Sequence, residues 1–191
     1  MERLSYLGTF VSLILGLGVA NVLARLSALV KRGRTADWYW LHTLWGLFLL
    51  FAMAGEWWIL LLWERVVEIG FFAYLSLLLK PSILFFASDL LFPDLGAGSG
   101  AVDLRAHFVR VRRTLYLSLI GYTLADVLDT LLKGWAHFRG LGPLYPVVVA
   151  ASVAMLLLGL TARDERVHVA LAFFAFVGFG LGITNGLAAL R

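Results

Sequence analysis

Apolar residues run along this chain in six stretches separated by short polar elbows. A membrane-spanning helix needs about 20 mostly apolar residues, and the runs at 4–30, 37–63, 66–92, 105–133, 144–162 and 167–189 have that character. The pattern predicts an all-α membrane protein with six transmembrane helices, arranged as three hairpins in a compact bundle, and 1–191 as a single polytopic domain. The first run begins almost at Met1 without a basic stretch before it. Lys31, Arg32 and Arg34 follow it where a signal peptide would carry a small-residue cleavage site, so a retained helix is expected. Trp38 and Trp40 mark one end of the second run, and Trp57, Trp58 and Trp63 the other, as two interfacial belts require.

Composition agrees with the pattern. The chain is 61% hydrophobic and 15% charged, with a mean hydropathy of +0.89. A water-soluble domain is roughly 45–50% apolar and about 25% charged, so the surrounding medium here is a bilayer and the first partners are membrane lipids. The absence of cysteine excludes disulfides, thiolate metal sites and thiol nucleophiles.

The formal net charge of +4 invites a nucleic-acid reading, but the basic residues sit in short clusters between apolar runs and are better explained by membrane orientation. Ten Lys and Arg residues fall on one side (Arg25, Lys31, Arg32, Arg34 and the clusters around Arg110 and Arg163), against five on the other. The expectation is a multi-pass protein of the inner (plasma) membrane whose termini both face away from the cytoplasm.

The elbows on the basic side resemble one another. Asp37 precedes His42, Asp103 precedes His107 and Asp164 precedes His168, which suggests a weak three-hairpin repeat. Each Asp suits a helix N-cap, where a carboxylate accepts orphan amide hydrogens and meets the positive end of the helix dipole. The three histidines admit two readings: interfacial imidazoles, or ligands of a haem or metal between facing helices. The first requires no cofactor.

Ionisable residues inside apolar runs carry the sharpest functional signal, because a charge at the bilayer centre costs about 2.5–3.5 kcal/mol even on a lenient scale. Lys80 lies mid-run beside Pro81. Glu56, Asp126 and Asp129 stand some residues outward of it, with Tyr122 one turn from Asp126, and Glu68 lies nearer the same interface. Lys80, Glu56, Asp126, Asp129 and Tyr122 are expected to form a polar cluster in the outer half, serving either transport or helix pairing. A second polar group, Asn21, Arg25 and Asp89, belongs to the inner half, with Arg25 and Asp89 as an ion pair.

Small residues recur at four-residue spacing in the first run (Gly8, Ser12, Gly16, Ala20, Ala24, Ala28) and the last (Gly178, Gly182, Gly186). In lipid such faces permit close helix contact, within one protomer or in a homo-oligomer, and the protomer core is the expectation for the first run. Gly96 to Gly100 is not followed by the lysine of a phosphate-cradling loop, so nucleotide binding is not indicated. Neither a nucleophile elbow nor a zinc-protease pair occurs, and no catalytic residue is assigned. Three function classes remain: a channel or transporter for protons, ions or a small solute; a haem- or metal-binding redox subunit; and a non-catalytic membrane partner or scaffold.

Overall fold

A computed structural model describes residues 2–33, 36–60, 63, 70–94 and 102–188. Among them are α1 (Glu2–Arg32), β1 (Ala36–Asp37), α2 (Trp40–Ile59), α3 (Phe71–Leu91), β2 (Val102–Asp103), α4 (Leu104–Leu132), α5 (Trp135–Gly140), α6 (Leu144–Thr161) and α7 (Glu165–Ala188). Glu68, most of the glycine-rich connector and the start of the 66–92 run lie outside the described residues.

Among the described residues, five helices are long and apolar enough to cross a membrane: α1 from Gly8, α3, α4, α6, and α7 through Thr184. The helix α2 has comparable length and is mostly apolar, with Trp40, Trp45, Trp57, Trp58, His42 and Glu56 spaced among its aliphatic and aromatic residues, but it is not among these five. The helices α2, α3, α4, α6 and α7 pack in a closed ring, each against the next, with α7 returning to α2. Outside the ring, α1 lies against α2 and α3. Large apolar side chains such as Leu13, Phe71, Phe72, Val147 and Val177 point outward. In water this would cost free energy, whereas lipid tails are as apolar as the side chains themselves.

The packing face of α1 does not run through the middle of the row of small residues. Val11, Leu15, Val22 and Leu29 are buried, whereas Gly16, Ala20 and Ala24 are exposed, and a Cβ at Gly16 would meet nothing within 4 Å. The expected core seam through Gly16 is therefore corrected: bulky apolar residues spaced four and seven apart pack toward α2 and α3. Close approach occurs at Gly18, where a Cβ would lie 2.7 Å from Met53 Cε. Gly55 has the same role between α2 and α7, since a Cβ there would lie 2.5 Å from the Phe179 ring.

At the arginine-rich end, two elbows join through the backbone. Ala36 pairs with Val102 and Asp37 with Asp103 in a two-residue parallel bridge. Asp103 caps α4, accepting the Ala106 N–H at 2.8 Å, and Asp164 accepts from Arg166 N at 2.9 Å at the start of α7. Asp37 does not cap α2. Its backbone is held extended by the bridge, and Tyr39 stands at the N-cap without a side-chain hydrogen bond. At the opposite end α4 stops after Lys133 because Gly134 adopts φ +106°, a conformation L side chains rarely reach.

Candidate functional site

Along α4, Tyr122, Asp126, Asp129, Thr130 and Lys133 recur at spacings of three, four and one, which places them on one helix face at the end away from the arginines. Lys80 reaches this face from the middle of α3, and Glu56 reaches it from the last turn of α2. The Lys80 ammonium lies 2.9 Å from Glu56 Oε1, 2.8 Å from Asp126 Oδ1 and 3.9 Å from Asp129 Oδ2. Only 2% of its side-chain surface is exposed. Tyr122 donates its hydroxyl to Glu56, and its ring centroid is 5.5 Å from the lysine nitrogen.

Four further residues complete the cluster. Lys133 donates to Asp129 from one turn away and lies over the Trp63 ring. Trp63 donates its indole N–H to Asp129 Oδ1 at 3.0 Å. Tyr145 of α6 donates toward Asp126 Oδ2 at 3.1 Å and lies 3.0 Å from the Thr130 hydroxyl. In the sequence Trp63 reads as an interfacial anchor and Lys133 as an outer basic residue. The i, i+4 spacing of Asp129 and Lys133 was the available signal for their pairing, whereas nothing local announced Tyr145. Among the described residues, Glu56, Asp126 and Asp129 thus surround Lys80 and Lys133, three carboxylates to two ammonium groups, with a formal charge of −1.

The cluster borders a half-open cavity of about 160 Å³ enclosed by α2, α4, α6 and α7. Asp126, Asp129, Thr130, Lys133, His137 and Tyr145 contribute polar groups to its lining, and Val148, Met155, Leu156, Leu171, Phe174 and Phe179 contribute apolar surface. Gly178 and Gly182 of α7 also line it, so the small residues there leave space between helices. His137, on α5, has its pKa held below the usual imidazole value by burial and, next, by the Lys133 ammonium.

The inner group is also assembled. Arg25 donates to Asp89 at 3.3 Å, to the Pro93 carbonyl at 3.1 Å and to Asn21 at 3.4 Å, while Asn21 reaches Ser88. These bonds tie α1 to the end of α3.

Two of the three histidines address the same helix end. His42 Nε2 donates to the Leu91 carbonyl at 2.9 Å and His107 Nε2 to the Leu90 carbonyl at 3.3 Å, satisfying acceptors that the last turn of α3 leaves open. His168 differs. Arg112 can only donate, so Nε2 of His168 accepts at 2.8 Å and Nδ1–H donates to the Tyr116 hydroxyl at 2.9 Å. Nε2 of each ring is therefore engaged by protein. Among the described residues no group of three His, Asp or Glu side chains is placed to hold a metal ion.

Fold and site together define a polytopic α-helical membrane protein with charged residues buried between its helices. No protein-family model matches the chain, and no significant match exists among curated proteins or solved structures.

Proposed function

We propose that this protein is a small inner-membrane transporter or channel, crossing six times as three hairpins, that passes protons, ions or a small solute by way of Glu56, Lys80, Tyr122, Asp126 and Asp129. The observation that carries this reading is the excess carboxylate beside the cavity: among the described residues, the cluster sets three carboxylates against the ammonium groups of Lys80 and Lys133. Structural pairing alone is best served by balanced charges, because an uncompensated buried charge is destabilising. An excess carboxylate instead gives a proton or cation a place to bind, and Asp126, with 29% of its side-chain surface exposed, is the most accessible member of the group around Lys80.

The positive-inside bias places the cluster in the outer half of the bilayer and both termini outside. Compartment-reporting fusions at each terminus test that orientation, and a cytoplasmic reading for either overturns it. Transport is tested in proteoliposomes containing a trapped pH indicator under an imposed proton gradient, with sodium and potassium gradients and small amine solutes examined in parallel. The expected result is flux above that of protein-free vesicles, lost in Asp126→Asn and reduced in Glu56→Gln. Flux equal to empty vesicles for every species overturns the reading.

A further inference from the structure

We propose that the cavity between α2, α4, α6 and α7 binds an amphipathic amine, with its ammonium at Asp126 and its hydrocarbon tail along α6 and α7. In the transport reading on which this rests, that amine is the carried solute. The shape of the site gives the first argument. Its volume of about 160 Å³ is comparable to the apolar cavity of about 150 Å³ that accommodates benzene, so a chain of several carbons fits, and the half-open side admits a longer tail.

The distribution of chemistry gives the second argument. Polar groups are contributed by the end of α4, by α5 and by Tyr145, whereas Val148, Met155, Leu171 and Phe174 supply apolar surface. A ligand matching both parts has one polar head and one apolar tail. Charge chooses the head. Among the described residues the bordering cluster carries three carboxylates against two ammonium groups, so a cationic head evens the formal charge and an anionic one deepens the imbalance.

Asp126 is placed to receive that head. Lys80 occupies Oδ1 and Tyr145 occupies Oδ2, and each carboxylate oxygen retains further acceptor capacity. Asp129 is less available, being almost fully buried beneath Trp63 and Lys133. Gly178 keeps the tail region open, because its absent side chain leaves only ordinary contacts to Ser152, Phe174 and Val148 at 3.9–4.0 Å from a Cβ position.

The test uses the full chain in lipid nanodiscs, titrated with octylamine, octanol and octanoate and read by tryptophan fluorescence and thermal midpoint. Saturable octylamine binding is expected, with octanol weaker and octanoate absent. Asp126→Asn weakens octylamine at least about tenfold, the loss of one charge-assisted hydrogen bond. Gly178→Leu, which fills the tail region without touching the cluster, abolishes binding while the protein remains folded.

Equal responses to all three compounds identify a site for acyl chains without head selectivity and overturn the inference, as does octylamine binding that survives Gly178→Leu. Proton or cation flux without octylamine binding sinks this inference and leaves the transport reading standing. Saturable, Asp126-dependent binding without flux of any species supports the site and sinks the transport reading.

Discussion

Lys80 donates from the middle of α3 to Asp126 in the last two turns of α4, across 2.8 Å and 46 residues of sequence. The pair is almost closed off on the lysine side and 29% exposed on the aspartate side. The lysine is consequently the structural partner and the aspartate the accessible one.

A double-mutant cycle measures their coupling. Lys80→Met leaves Glu56 and Asp126 without their shared cation and is expected to destabilise by about 3–5 kcal/mol, with Asp126→Asn costing less because its side chain is less buried than that of Lys80. Combining the two should cost less than their sum, read by thermal stability in detergent. Strict additivity would show that the two residues do not interact.

Two glycines two residues apart on α1 should respond oppositely to bulk. Gly18→Leu pushes into Met53, itself 1% exposed, and should cost about 1–3 kcal/mol through overpacking. Gly16→Leu meets open space and should leave the thermal midpoint within experimental scatter. Loss of folding in Gly16→Leu would place α1 against other elements than α2 and α3.

His42 satisfies the Leu91 carbonyl in a fully buried setting, so His42→Phe should destabilise by about 1–3 kcal/mol by leaving that acceptor without its donor. His107→Phe should cost less, since its bond is longer and its ring only part-buried. Thermal unfolding of the two variants against the parent checks the order, and the reverse order removes helix capping as the explanation of His42.

The depressed pKa of His137 gives stability a pH dependence with a definite sign. Unfolding restores the imidazole to about 6.5, so between that value and the lower folded one the unfolded chain binds more protons. The contribution is complete above pH 6.5 and declines as pH falls through the window below it. Partial exposure keeps the effect below about 1 kcal/mol. His137→Gln should flatten this slope in unfolding measured from pH 7 downward, and an unchanged slope assigns the titration elsewhere.

Apolar run length, a local property, determined the helices: the run 105–133 became Leu104–Leu132 and the run 144–162 became Leu144–Thr161. Hydrogen bonding within each helix makes these boundaries nearly independent of neighbours, and in lipid no other open structure satisfies the backbone. Buried charge was legible for the same reason, since Lys80 interrupts an apolar run whatever surrounds it.

Which helix face turns inward was decided by tertiary structure. The small row and the Val11–Leu15–Val22 row of α1 are both periodic, and only the shape of the groove between α2 and α3 selects the bulkier one. Trp63 and Tyr145 joined the cluster from outside α4, reaching Asp129 and Asp126, whereas Lys133 follows Asp129 by one turn at the end of the same helix. The cavity likewise belongs to no single segment, because empty space between α2, α4, α6 and α7 is a property of how helices diverge and leaves no periodic mark on any one of them.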